Sequence, residues 1–303
     1  MKKIAVLMGG ISSEREISLK TGACVTEALK RLKYDVKKID MTSDIGACIQ
    51  KLKEYHPDIV FNALHGKFGE DGCIQGLLNM LKIPYTHSGV LASSIGMDKN
   101  TTRNIAKSLG IPVADGGLKT LEDMKKMQFT YPYVAKPNAE GSSIGVIIVR
   151  DEEDQKKLFE SWPKNQSLLI EEYIEGRELS AAVLGNVFLG DVELIPLDGF
   201  YDYTNKYTTG KTRHITPAKL TDAIRKQEKE YTLTLHTALG CRGVTRCDFR
   251  LDDRDPHQPR LVFLEINTNP GMTNLSLVPD IALAQQISYD AIIEQLVSDA
   301  QYD

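Results

Sequence analysis

The sequence predicts an α/β protein: a doubly wound parallel sheet at the N-terminus, followed by two α+β units. Three observations carry that expectation. Through the first third of the chain, short apolar runs alternate with stretches of helical periodicity. From about residue 88 the pattern changes to that of a small α+β unit. Polar clusters fall where apolar runs end, the place at which open sheets collect their ligands.

Residues 3–8 read as a buried strand, and Val25, Ala28, Leu29 and Leu32 then recur at helical spacing. Residues 34–39 and 58–64 read as further strands, and 83–85 follows a leucine-rich helix. Strands separated by helices imply parallel pairing. A helix over 98–109 is expected next, then strands over 131–136 and 144–149, a helix after Asp151 and a strand over 167–172. The remainder holds strands over 179–184 and 187–195, a helix over 221–239, strands over 243–251 and 260–266, and a closing helix. Boundaries near 88 and 176 divide the chain into units 1–87, 88–175 and 176–303.

Bulk properties narrow the function. With 303 residues, 42% hydrophobic, the chain is long enough for two or three cores. A net charge of -4, with Lys and Arg scattered, offers no field for a polyanion, so nucleic acid is not an expected partner. The apolar run after Met1-Lys2-Lys3 ends at Gly9-Gly10, too early for a signal peptide, and no run approaches bilayer length. Five cysteines without a CxxC pair argue against a disulfide framework and a zinc site, and point to a reducing cytoplasm. Neither a GxxxxGK[ST] loop nor a complete G-x-G-x-x-G turn is present.

Five polar clusters remain. In residues 9–16 a strand passes through Gly9-Gly10 into a helix, and Ser13 with Glu16 fits a capping box. Glu14 there would either meet the helix dipole or hold a substrate ammonium. The loop 65–72, from His65 through Glu70-Asp71-Gly72, lies at another strand end; it is a crevice lining or a solvated turn. Lys136 closes a strand and leads into Glu140-Gly141-Ser142-Ser143-Ile144-Gly145, a run suited to folding over phosphates. Residues 201–217, beginning Tyr201-Asp202-Tyr203, read as a long loop, either a lid or a surface excursion.

The fifth cluster is the most informative. Arg246 and Asp248 lie two apart on one predicted strand, and Glu265 and Asn267 two apart on the next, so each pair shares a face. Segment 252–259 is short enough for a hairpin, and antiparallel pairing then brings Asp248 near Glu265 and Asn267. Such hard oxygen donors are those Mg²⁺ takes together with nucleotide phosphates. Cys247, Phe249, Val262, Leu264 and Ile266 are expected on the core side, with Leu261 and Phe263 on a partly covered polar face. The wet face of an antiparallel sheet would carry the same polar residues.

Together these segments resemble the D-alanine:D-alanine ligases of the ATP-grasp superfamily, along almost the whole chain. The resemblance rests on Gly9-Gly10 through Ser18, Leu64-His65-Gly66 with Gly69-Glu70-Asp71-Gly72, Met97-Asp98-Lys99, Lys136-Pro137 with Glu140-Gly141-Ser142-Ser143, Tyr201-Asp202-Tyr203 with Lys206-Tyr207, and Glu265 through Thr273. It implies a three-domain architecture whose two α+β domains enclose ATP. It further implies that Lys99 and Lys136 contact phosphates, that Glu171, Tyr173 and Ile174 bind adenine, that Glu178 holds the ribose, and that Lys206 also serves the nucleotide. Asp248, Glu265 and Asn267 match the ligands of two Mg²⁺ ions, for which Mn²⁺ would substitute. Glu14 is implied to bind the ammonium of the first D-alanine, in a hydrogen-bonded set with Ser142 and Tyr207 that closes the lid. Arg246 and the Gly271 N–H would stabilise the oxyanion, while His65 and Ser276 hold substrate. Asn269 stands where the family commonly has Ser, and Tyr173 where Trp often occurs. Neither touches an implied catalytic group.

The implied reaction makes D-alanyl-D-alanine for peptidoglycan precursors in two steps. A D-alanine carboxylate attacks the γ-phosphorus of ATP, and the amine of a second D-alanine displaces phosphate from the acyl phosphate. A cytoplasmic homodimer, without nucleic acid or membrane insertion, is the implied context. Two other readings share the motifs: a D-alanine:D-lactate ligase, from which an intact Lys206-Tyr207 argues away, and a catalytically silent nucleotide binder.

Overall fold

A computed structural model describes residues 1–197 and 210–303. The first elements are β1 (Lys3–Gly9), α1 (Arg15–Arg31), β2 (Asp35–Met41), α2 (Ile45–Tyr55), β3 (Ile59–Asn62) and α3 (Cys73–Leu81). The strands form a parallel sheet in the order β2-β1-β3, with Ile4 level with Val36 and Ile59. Successive side chains of β1 point to opposite faces, and both faces are buried. Ile4 and Val6 pack with Val25 and Leu29 of α1, whereas Ala5 and Leu7 pack with Leu52 of α2 and Leu78 of α3. After α3, Tyr85 forms isolated bridges to Val60 and to Gln301.

Next come α4 (Val90–Met97), α5 (Lys99–Ser108), β4 (Gly116–Lys119), α6 (Leu121–Met124), β5 (Tyr133–Lys136), β6 (Ile147–Val149), α7 (Glu152–Ser161) and β7 (Leu168–Glu172). The strands make an antiparallel sheet, β4-β7-β5-β6, over a small core of Met124, Tyr133, Leu158, Trp162 and Leu168. The strand expected from 144 begins only at Ile147, because Ser142, Ser143 and Gly145 take positive φ and turn the chain first.

The third set is β8 (Arg177–Leu184), β9 (Val187–Pro196), β10 (Thr212–Ile215), α8 (Asp222–Ala238), β11 (Val244–Asp252), β12 (Arg260–Asn267), α9 (Leu277–Ala284) and α10 (Tyr289–Ser298). Its strands run antiparallel in the order β10-β9-β8-β11-β12. One face buries Leu179, Ala181, Cys247 and Phe249 against Ile224 and Leu235 of α8. The other buries Ala182, Val192 and Val244 against Ile281 of α9 and Ile293 of α10, in the core that also holds Ile4, Val25 and Phe61. The N-terminal sheet and the last sheet therefore share one apolar interior.

Two expectations need correction here. Part of the loop expected over 201–217 is a strand: β10 pairs with β9, His214 opposite Leu194. Tyr201, Asp202, Tyr203, Lys206 and Tyr207 lie outside the described residues. The facing of β12 also differs. Asp248 stands opposite Glu265 and Arg246 opposite Asn267, as expected, but Phe249 stands opposite Phe263. A bulge at Leu264 shifts the alternation by one residue. Leu261 and Phe263 consequently join the core with Phe249, while Leu264 turns to the same cleft as Glu265. Among the described residues no helix is long and apolar enough to cross a membrane.

Candidate active site

The carboxyl ends of β1 and β3 are drawn together by small residues. Gly9 and Gly10 have φ of +85° and +81°, and a Cβ on Gly9 would lie 2.1 Å from Asp40 Oδ1. Arg15 fills that space, donating to both carboxylate oxygens of Asp40 at 2.8 and 2.7 Å and to the Gly10 carbonyl at 3.0 Å. Ser18 accepts from the Gly9 N–H at 2.8 Å and donates to the Ala63 carbonyl at 2.7 Å, stitching β1 to β3. Both residues of the motif thus hold the backbone in place. Glu14 is left to face inward.

The capping box expected from Ser13 and Glu16 does not form. Helix α1 starts at Arg15, with Glu14 at the N-cap and no side-chain cap bond. The Ser12 hydroxyl accepts from the Glu14 N–H at 3.2 Å and donates to the His65 carbonyl at 2.7 Å. Buried Glu14 turns its carboxylate across the chamber, where Ser142 Oγ donates to Oε1. His65 is buried too, held by Thr21 at 2.9 Å through Nε2 and by Glu70 at 3.2 Å through Nδ1.

Beside this chamber lies an open cleft. Its walls bring together Lys99, Lys136, Glu171, Tyr173, Ile174, Glu178, Asp248 and Glu265, which come from both antiparallel sheets and α5. Lys99 Nζ stands 3.1 Å from Glu265 Oε2 and donates to the Glu140 carbonyl at 2.6 Å. Lys136 Nζ is 2.5 Å from Glu171 Oε2. Arg250 pairs with Glu178 at 3.3 Å and donates to the Ile174 carbonyl at 3.1 Å. The apolar walls are Val134, Ile144, Val146, Ile174 and Leu264.

At the floor, Asp248 accepts two parallel bonds from Arg246, each 2.7 Å, and a third from Ser180 at 2.6 Å. Asn267 Oδ1 accepts from the Asn269 N–H at 2.8 Å. Two carboxylates and an amide oxygen therefore converge in register, each countered by a cation or a donor. Cys247, between Arg246 and Asp248 in sequence, points into the core, and burial raises its thiol pKa; it offers no nucleophile here.

A second chamber is bounded by Glu14, His65, Ser142, Arg246, Glu265, Asn267, Gly271 and Ser276. A methyl on Gly271 would lie 3.1 Å from Ser276 Oγ and 4.0 Å from His65 Nε2, so its backbone is the chamber's wall. Ser276 Oγ accepts from the Thr273 N–H at 2.9 Å and sits at the N-cap of α9, whose first residue Leu277 also lines the chamber. A helix N-terminus favours an anion. Glu265 belongs to both chambers, and through it they adjoin.

Every described site residue named from the sequence falls in one of these two spaces; Lys206 and Tyr207 are outside the described residues. Partners given no role from the sequence include Arg103, Arg250, Thr21, Ser180 and the Glu140 carbonyl. Ser180 is opposite Asp248 across the β8–β11 pairing, which only the sheet order reveals. Arg103 had a visible signal, its place four residues after Lys99 on a helix.

Residues 105–298 match the family described as D-ala D-ala ligase C-terminus, and residues 46–88 the D-ala D-ala ligase N-terminus. The chain is 47% identical to a D-alanine–D-alanine ligase of Chelativorans sp., over 99% of this chain and 98% of that one. A ligase of the same name from Rhizobium meliloti is 44% identical over 99% and 98%. Among solved structures, a Bacillus anthracis D-alanine–D-alanine ligase complexed with ATP superposes with a TM-score of 0.82 at 32% identity, covering 98% and 96%. The Enterococcus faecalis D-Ala:D-Ser ligase VanG superposes with 0.80 at 28%, covering 98% of each chain.

Proposed function

Because this chain belongs to the D-alanine–D-alanine ligase family and has its ATP-grasp fold, we propose that it joins two D-alanine molecules at the expense of ATP. The observation that carries this reading is the pair of adjoining chambers with Glu265 in the wall of both. A phosphate chain lying along Lys99 and Lys136 would end where the second chamber begins. A carboxylate seated at the α9 N-terminus is then in reach of the terminal phosphorus.

Glu14 would take the first ammonium, and His65 with Ser276 would orient the carboxylate. Ser142 fixes Glu14 from the loop after β5, in a set that Tyr207 would complete. Glu171, Tyr173 and Ile174 would receive adenine, Glu178 the ribose, and Lys206 would serve the nucleotide. Attack on phosphorus would release ADP and leave an acyl phosphate; the amine of the second D-alanine would displace phosphate. Arg246 and the Gly271 N–H would meet the oxyanion of that step.

The oxygen set of Asp248, Glu265 and Asn267 fits hard divalent ions, and we assign it two Mg²⁺, with Mn²⁺ as substitute. Lys99 and Arg246 occupy these carboxylates as placeholders, the arrangement expected of groups that accept a cation. Bound there, the ions would neutralise phosphate charge during transfer.

We take residues 1–87, 88–175 and 176–303 as the three domains. Five free thiols support a reducing cytoplasm, and exposed Met80 and Leu91 on neighbouring helices α3 and α4 support a homodimer, which sedimentation would test. The decisive assay measures ADP release with Mg²⁺ and D-alanine, L-alanine or D-alanine plus D-lactate, with products identified by mass. D-alanyl-D-alanine formed from D-alanine alone is expected. A depsipeptide would move the chain to a D-lactate ligase, and no turnover to a silent nucleotide binder.

A further inference from the structure

We propose that Arg103, which does not line the cleft, is a positioning residue that sets which purine the enzyme accepts, acting through Glu171. The inference rests on the nucleotide reading of the cleft, with Glu171 accepting from the exocyclic amine of adenine. Its own ground is the geometry of α5. Lys99 and Arg103 are four residues apart and so share a helix face. Lys99, at the start of α5, holds Glu265 and the Glu140 carbonyl at the phosphate end. Arg103, one turn later, holds Glu171 at the base end, with Nε 3.2 Å from Oε1.

Glu171 is buried between two cations, Arg103 and Lys136, and their situations differ. The Arg103 guanidinium is tied to backbone, donating through one amino group to the Gly116 carbonyl at 3.0 Å and through the other to the Ala114 carbonyl. Lys136 ends β5 and lines the cleft, where a phosphate competes for it. Once Lys136 turns to phosphate, Arg103 is the countercharge left to Glu171. An ionised carboxylate only accepts hydrogen bonds, so it welcomes a 6-amino purine and repels a 6-oxo purine. Arg103, itself fixed to two backbone carbonyls, thereby keeps Glu171 aimed at the base, and the preference for adenine follows.

The test compares ADP with IDP by calorimetry, and ATP with ITP in turnover, for R103M, R103K, E171Q and the R103M/E171Q pair. R103M is expected to cut the preference for the adenine nucleotide about tenfold, because the buried ion pair that aims Glu171 is lost. KM for D-alanine should stay within about twofold, because that substrate's groups are not among the Arg103 partners. E171Q should lose the same preference, and adding R103M should lose no more. R103K, which keeps the charge without the fork, should lie between. A lowered Tm with an unchanged ADP:IDP ratio in R103M would overturn the proposal and leave Arg103 a structural staple. If R103M does not fold, an unchanged ratio in R103K overturns it equally. An unchanged ratio in E171Q would instead sink the reading of Glu171, and the proposal with it.

Discussion

Gly141 has a role set by distance rather than by backbone freedom. A Cβ there would fall 2.6 Å from Glu14 Oε2 and 3.3 Å from its Cδ, so the carboxylate must withdraw. The obstructed atoms are the end of a flexible side chain, and the cost therefore falls on substrate binding rather than on folding. G141A is expected to raise KM for D-alanine about tenfold while Tm moves by no more than a few degrees, because one charge-assisted contact is displaced. Equal KM in mutant and parent would remove Glu14 from the ammonium site. Glu265 supplies a second case. E265Q keeps the shape and removes the charge shared by the two chambers, so kcat should fall by about 100-fold or more, and Mg²⁺ should no longer tighten ADP binding. Unchanged turnover would show that this carboxylate holds no ion. At this scale the sequence was most legible where two residues share a strand face, as with Arg246 and Asp248. It was least legible for Ser180, whose partner Asp248 lies on a neighbouring strand that no local pattern announces; for Arg103 the helix spacing showed the face but not the partners.

Helix α5 shows how an element places a site. Asp98 caps it, accepting from the Thr101 N–H at 2.7 Å, and its second oxygen accepts from Asn138 Nδ2 at 2.7 Å. Asn138 in turn accepts from the N–H groups of Asn100 at 2.8 Å, through its side chain, and of Lys99 at 3.0 Å, through its carbonyl. The start of the helix is thus clamped to the loop after β5, and Lys99 is aimed by that clamp. D98A should cost about 1–2 kcal/mol in denaturant unfolding and raise KM for ATP more than KM for D-alanine. D98N should recover most of the stability, since asparagine caps as well; a D98N as unstable as D98A would mean the clamp works through charge. Elements with clear periodicity and caps, such as α5 and α8, were readable. Others were not: β4 carries two glycines, and α4 is short and rich in small residues. The capping box at Ser13 failed because the helix begins one residue later, with Glu14 rather than Ser13 at the N-cap. The bulge at Leu264 changed the facing of Leu261, Phe263 and Leu264 because strict alternation assumes an unbroken ladder.

Across the whole molecule, periodicity told which faces are buried and left open what buries them. Val25 and Ile293 share a core although most of the chain lies between them, so the N-terminal sheet is propped by the closing helices. The same holds for polar burial. Glu228 of α8 is fully buried and faces Asp191 of β9, whose carboxylate accepts from the Ala218 N–H at 2.6 Å and from Arg225. Burial first, and then the charge of Asp191, push the Glu228 carboxyl up from 4.5 to about 8, with Arg225 and Arg177 opposing. Folded protein therefore keeps a proton that unfolded chain releases above 4.5. The stabilisation is complete below 4.5, declines as pH rises toward about 8, and has gone above it. Substituting the neutral amide, E228Q, should flatten that decline and leave the variant more thermostable than the parent on the alkaline side. Calorimetric Tm measured across the window decides it: parallel profiles for E228Q and parent would mean that Glu228 is ionised in the folded state and that Arg225 neutralises both carboxylates.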